Sequence, residues 1–175
     1  MKTLFVDLDG TTFTLKNFFR TSNFYSVDTD LHSLLAKIPA KVVYVTSRSQ
    51  EQVAETKNID IMSSLVLYND KVKNIREYIK NNKISEYVLI DDDKNLKYVF
   101  PNHTVIIDWF NGYTVRDFFD TLRLLNLKIK FITDKGTFFI DVENVDVSFE
   151  KVKALLKSKF NTPNLNILDS LIYES

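Results

Sequence analysis

Phe5-Val6-Asp7-Leu8-Asp9-Gly10-Thr11-Thr12 is the stretch on which the reading of this chain turns. With Leu4 it opens as an apolar run suited to a buried strand, then ends in two aspartates, a glycine and two threonines. Side chains alternate along a strand, so Asp7 and Asp9 share a face if the strand stays regular to its end. Charge is rarely buried without a partner. Two carboxylates at a strand's carboxyl end therefore point to a bound cation, a catalytic pair, or both. Gly10 allows a sharp turn directly after them.

Working outward, strand and helix patterns alternate. Phe13 to Tyr25 holds five aromatic rings with Lys16 and Arg20 among them. It reads as a short flap or hairpin over the end of the first strand, most of its rings packing the core. Asp28 to Ile38 reads as a helix with Leu31, Leu34, Leu35 and Ile38 on one face, capped by Asp28 or Asp30 and stopped at Pro39. Lys41 to Val45 is a β-branched strand that runs into Thr46-Ser47-Arg48, and Ser49 to Asn58 is a helix with a Ser49/Gln52 capping box. Leu65 to Tyr68 is a third strand, Lys71 to Asn82 a helix, and Tyr87 to Ile90 a fourth strand ending in Asp91-Asp92-Asp93. Thr104 to Ile107 is a fifth strand, and Thr114 to Leu125 a helix. Trp109 and Phe110, after that fifth strand, are suited to stacking on a base, though such rings more often pack a core or rim.

Short continuous apolar strands alternating with helices predict an α/β fold. The expected form is a Rossmann-like parallel five-stranded sheet with helices on both faces over residues 1–126. Ligands of such sheets sit at the carboxyl ends of the strands, where this chain places its acids and hydroxyls. The tail, residues 127–175, reads as a small α+β subdomain of ββα type. Its hairpin turns at Asp134-Lys135-Gly136, a helix follows over 149–160, and a last apolar segment spans 165–173. Asp141, Glu143 and Asp146 read as a solvated strand edge.

Composition narrows the function classes. Of 175 residues, 45% are hydrophobic, enough to build a core. Lys plus Arg and Asp plus Glu number 23 each, which argues against a wholesale basic footprint for nucleic acid. With no cysteine there are no disulfides, thiolate metal sites or cysteine nucleophiles. Neither a signal-peptide pattern nor a membrane-length apolar run stands out, so a cytoplasmic protein without a membrane partner is expected.

Asp7-Leu8-Asp9-Gly10-Thr11 resembles the DxDGT motif of the haloacid dehalogenase (HAD) superfamily of phosphatases. Val43-Tyr44-Val45-Thr46 looks like its second motif, Lys71 is similar to its third-motif lysine, and Val88-Leu89-Ile90-Asp91-Asp92 looks like the paired-acid form of its fourth. The resemblance covers roughly residues 1–125. It implies a Mg2+-dependent phosphomonoesterase in which Asp7 is the nucleophile that becomes an aspartyl-phosphate. Asp9 would then be general acid and later base. By the same resemblance Thr46 hydrogen-bonds the phosphoryl group, and Lys71, with Lys73 as its competitor, supplies positive charge. Mg2+ would be held by Asp7, the carbonyl of Asp9, and Asp92 with Asp91 in support.

The short spacings from Asp7 to Thr46 and from Thr46 to Lys71 leave no room for an inserted cap, so the chain looks capless. Thr46-Ser47-Arg48 further resembles the phosphatase domain of the bacteriophage polynucleotide kinase/phosphatase family, with Ser47 where that family usually has glycine. This implies a nucleotide or a nucleic-acid 3′-phosphate end as substrate, bound by Thr11, Ser47, Arg48 and Arg20. No GxxxxGK[ST] phosphate loop is present, so no kinase half is implied. A 5′-nucleotidase-like phosphatase, a phosphotransferase and a silent HAD-fold regulatory protein stay open as alternatives. A homodimer through the tail is a further expectation.

Overall fold

Short apolar runs become the strands of a parallel sheet in the computed structural model, which describes residues 1–134 and 137–143, with side chains through residue 127. β1 (Thr3–Asp7), β2 (Lys41–Val45), β3 (Val66–Leu67), β4 (Tyr87–Asp91) and β5 (Thr104–Ile106) lie in the order β3-β2-β1-β4-β5. Every pairing among them is parallel. All of β1 is buried, as the centre of a sheet covered on both faces requires. The fold is thus α/β.

Register sorts the two faces. Phe5 pairs with Val43 of β2 and with Leu89 of β4. These three join Val45, Ile75, Leu96 and Phe100 in one buried cluster, built with α5 (Lys71–Asn81) and α6 (Leu96–Val99). Alternation sends Leu4, Val6, Val88 and Ile90 to the opposite face, where all are fully buried. Right-handed crossovers put the helices between β1 and β3 on that second face. α7 (Val115–Leu124) packs on β4 and β5 and meets α2 (Thr29–Leu35). From β1 the chain steps out to β2 and β3, then returns through α5 to β4 on the other side of β1. The winding reverses between β1 and β4, and a crevice opens at their carboxyl ends.

Two segments depart from expectation. Phe13 to Tyr25 forms a helix, α1 (Leu15–Thr21), where a flap or hairpin was expected. Thr14 starts it by accepting the backbone N–H of Asn17, and Asn17 Nδ2 ties the following loop by donating to the Ser26 carbonyl at 2.8 Å. The helix expected over 49–58 is two pieces, α3 (Gln50–Ala54) and α4 (Ile59–Met62). The Ser49/Gln52 capping box forms. Lys57, however, takes a left-handed conformation (φ 54°), and Asn58 caps the next helix instead of ending the first.

The chain divides into two compact units, Met1–Leu125 and Asn126–Ser175. In the second, β6 (Lys128–Asp134) and β7 (Thr137–Glu143) pair antiparallel, with Ile129 opposite Val142 and Asp134 opposite Thr137. The helix expected over 149–160, the segment over 165–173 and any dimer contact through them lie outside the described residues. Among the described residues, no helix is long and apolar enough to cross a membrane.

Candidate active site

Asp7 and Asp91 are the last residues of β1 and β4, and the pairing of Val6 with Ile90 brings them side by side. Both lie two residues beyond a member of the Phe5/Leu89 cluster, so both face α5. Lys71 is the first residue of α5, whose N-cap is Asp70. Its Nζ lies 2.8 Å from Asp7 Oδ1 and 2.8 Å from Asp91 Oδ2. Lys73 is exposed, so Lys71 is the lysine that meets the acids. Asp92 completes a carboxylate cluster: one oxygen each from Asp7, Asp91 and Asp92 lie within 4.8 Å of one another. Asp7 and Asp91 are 3% and 1% exposed.

Burial dominates the electrostatics. It raises the Asp7 carboxyl well above its ordinary value, and the neighbouring Asp91 raises it further, against the pull of Lys71. Burial also raises Asp91, and burial together with Asp91 raises Asp92. Burial works against the Lys71 ammonium, but Asp7 and Asp91 overcome it and push the group up to about 12. Three carboxylates thus face one ammonium. An oxygen-only donor set with surplus negative charge can hold a hard cation.

The turn after β1 is closed by its own hydrogen bonds. Thr12, fully buried, donates its hydroxyl to the Asp7 carbonyl at 2.6 Å, and the N–H groups of Thr12 and Phe13 donate to the Leu8 carbonyl. Gly10 has φ +80°, and a Cβ there would come within 2.7 Å of Asp92 Cγ. Glycine is needed both for the conformation and for the approach of the Asp92 carboxylate. Gly10→Ala is therefore expected to cost about 1–2 kcal/mol from backbone strain alone. Pushing Asp92 aside should weaken cation binding by tenfold or more (about 1.4 kcal/mol per tenfold). Urea denaturation and metal titration measure the two effects separately.

β1 ends at Asp7, so Asp9 does not share its burial. Its side chain is 49% exposed and gripped by Arg48, whose Nε donates to Oδ2 at 2.8 Å and whose second guanidinium nitrogen donates to Oδ1. The Arg48 guanidinium also lies 5.4 Å from the centre of the Tyr25 ring. Asp7, Asp9, Asp92, Lys71, Ser47 and Arg48 all line one crevice of about 480 Å3, a volume usual for small-ligand sites.

The remaining candidates are placed differently. Thr46 is fully buried just past β2, outside the crevice lining, where its hydroxyl accepts the Arg48 backbone N–H at 3.1 Å. Thr11 is also fully buried outside the lining, its hydroxyl without a hydrogen-bond partner. Arg20 is not brought to the crevice. It sits in the last turn of α1, donates to Thr29 Oγ1 at 3.1 Å and lies 3.7 Å from Asp30. Forming a helix where a flap was expected is what turns Arg20 toward α2. Conversely, Thr14, Phe24 and Tyr25, which the sequence reading assigns to no site, line the crevice, and so does Trp109, read there as a ring suited to base stacking but more often part of a core or rim. Their aromatic richness is visible in sequence, but which rings reach the crevice depends on the α1–α2 and β5–α7 connections. No protein-family model matches the chain, and neither does any curated protein or solved structure.

Proposed function

We propose that the chain is a Mg2+-dependent phosphomonoesterase of the HAD type that works through an aspartyl-phosphate on Asp7. The observation that carries this reading is the Lys71 ammonium set between Asp7 and Asp91, with Asp92 beside them, at the reversal point of the sheet. A phosphate ester needs a nucleophile, a proton donor for its leaving oxygen and positive charge around the phosphoryl group. The crevice offers one residue for each need. Burial and Asp91 raise the Asp7 carboxyl and Lys71 pulls against them; in the reaction a carboxylate oxygen of Asp7 attacks phosphorus. The leaving alcohol takes its proton from Asp9. Asp9 then accepts a proton from water as that water attacks the phosphorus of the aspartyl-phosphate, releasing phosphate and restoring Asp7. Ser47 and Arg48 hydrogen-bond the phosphoryl oxygens, and Thr46 fixes the Arg48 backbone. Asp7, Asp92, Asp91 and the Asp9 carbonyl are the groups that would hold Mg2+, which would supply positive charge between an anionic nucleophile and an anionic substrate. Only α1 and α2 separate β1 from β2, and only α3, α4 and β3 precede α5, which supports a capless, open crevice.

Arg48 has two roles in this scheme. Without substrate it holds Asp9 by both oxygens. A phosphoryl group draws the same guanidinium and frees Asp9 to carry a proton. Arg48→Ala is expected to lower kcat/KM by about 10- to 100-fold, chiefly by raising KM. Initial rates over a range of p-nitrophenyl phosphate concentrations check this.

Mg2+ should also stabilise the fold in a pH-dependent way. The Asp7, Asp91 and Asp92 carboxyls are raised above their ordinary 3.8. Their burial and mutual repulsion cost nothing below that value, and the cost grows as pH rises from there to the raised folded values. A bound dication relieves that cost, so the gain in melting temperature with Mg2+ should be larger at neutral pH than in mild acid.

The reading itself is tested with wild-type protein and p-nitrophenyl phosphate, with and without Mg2+. Phosphate release that depends on Mg2+ is expected. No release from that ester, from nucleotides or from 3′-phosphorylated oligonucleotides would overturn it.

A further inference from the structure

Arg48 changes partners in the proposed reaction, leaving Asp9 for a phosphoryl group, and its surroundings show what keeps it in the crevice meanwhile. Its backbone is fixed on both sides. The N–H donates to Thr46 Oγ1 at 3.1 Å, and the carbonyl accepts the N–H of Asn69 at 2.9 Å. The side chain is more open. It is 27% exposed, and the Asp9 side chain that it grips is 49% exposed. An ion pair this open to water contributes little by itself, and an arginine has several torsions through which to swing into solvent.

A second contact restrains the guanidinium. Its Cζ lies over the Tyr25 ring, 5.4 Å from the centroid, and a cation over an aromatic face is attracted by the ring quadrupole. Tyr25 is itself tied down. Its N–H donates to Asn23 Oδ1 at 3.0 Å, and its carbonyl accepts Asn58 Nδ2 at 2.8 Å. Phe13, buried, meets its ring edge-on with centroids 5.8 Å apart. Asn58 divides its amide between two tasks, since its Oδ1 accepts the N–H of Ile61 to start α4. The break between α3 and α4 thus supports this wall of the crevice from behind. Tyr25 and Arg48 both line the crevice that holds Asp7.

We propose that Tyr25 is a positioning residue for the phosphate-binding arginine: its ring face retains the Arg48 guanidinium in the crevice while that group passes between Asp9 and the phosphoryl oxygens. The hydrogen bonds to Asp9 are directional and must break in the exchange. A ring face offers no single acceptor atom, so a planar guanidinium can turn upon it without losing the contact. Without the ring, the arginine divides its time between Asp9 and solvent, and the apparent affinity for substrate falls with the fraction left in the crevice.

The inference rests on the phosphomonoesterase reading for what Arg48 binds but not for what holds it, and the test has an arm for each. In the protein without substrate, the Arg48 Nε–H, which donates to Asp9, gives a nitrogen–proton correlation signal identified by its loss in Arg48→Ala. Its exchange with water should be about fivefold faster in Tyr25→Leu, the size of one cation–π contact, and close to that of the wild type in Tyr25→Phe, which keeps the ring. With p-nitrophenyl phosphate and Mg2+, Tyr25→Leu should raise KM about fivefold and leave kcat within about twofold, and Tyr25→Phe should restore KM. Added to Arg48→Ala, Tyr25→Leu should lower kcat/KM no further, because the group it acts through is already gone. Faster exchange in Tyr25→Leu in a protein whose wild type releases no phosphate would support the positioning role and remove the phosphatase reading. Unchanged exchange in Tyr25→Leu, equal losses in Tyr25→Leu and Tyr25→Phe, or a loss that recurs in full without Arg48 would overturn the positioning role and leave the phosphatase reading standing.

Discussion

Asp7→Asn is expected to stop phosphate release, with kcat lower by at least about a thousandfold, the scale of losing a covalent nucleophile. The substitution keeps the shape and removes the attacking charge. It should not unfold the protein, for an electrostatic reason. Asp7 is a buried carboxylate whose ionised form is disfavoured by burial and by Asp91. An amide there carries no charge to bury, and Lys71 keeps Asp91 as its partner at 2.8 Å. The melting temperature should be no lower than that of the wild type. A phosphate-release assay beside a thermal melt reads both effects. Unchanged turnover would mean that another group attacks phosphorus.

Lys71→Met is expected to damage fold and activity together. Methionine preserves much of the apolar stem and removes the ammonium. Asp7 and Asp91 would then share a buried site without the cation that stands between them. Removing one partner of a buried ion pair costs about 3–5 kcal/mol, and losing fixed positive charge at the phosphoryl site should lower kcat by about a hundredfold or more. The sign of the pH dependence follows from the two kinds of group. In the wild type, the stability contributed by Lys71 is present below its ordinary 10.5 and lost as pH rises through about 12. In the variant the deficit comes from ionised carboxylates, so it should shrink as pH falls and they protonate. Urea denaturation of both proteins at neutral pH and in mild acid would show this convergence. A deficit independent of pH would mean that Lys71 acts mainly through packing.

The parts of the site carried by strands were legible in the sequence, because a strand fixes its last residue's direction from its apolar alternation. Asp7 and Asp91 follow Phe5 and Leu89 by two residues and point with them to α5. The Asp70 cap that starts α5 likewise sets Lys71 rather than Lys73 over the acids. What failed was carried by connections. Arg20 was read as part of a flap, but a Thr14 cap turns that stretch into a helix and commits Arg20 to Thr29 and Asp30. Asp9 was expected on the face of Asp7 if the strand continued, but it lies past the strand's end and its carboxylate pairs with Arg48. That pairing spans 39 residues, and no local pattern encodes it. Phe24, Tyr25 and Trp109 were visible as aromatic residues, yet only the folded connections bring them to one crevice. The all-parallel sheet followed from continuous apolar runs, whereas the break between α3 and α4 depended on a left-handed Lys57.

The central claim is that Asp7 is the group that takes the phosphoryl. The most direct measurement is to quench wild-type protein in acid during turnover of p-nitrophenyl phosphate with Mg2+, digest it, and locate any phosphoryl group by mass spectrometry of the peptides. The account predicts a phosphoryl group on Asp7, absent when substrate is omitted and absent from Asp7→Asn. A phosphoryl group on a different residue, or sustained turnover with none on Asp7 under rapid quenching, would contradict it.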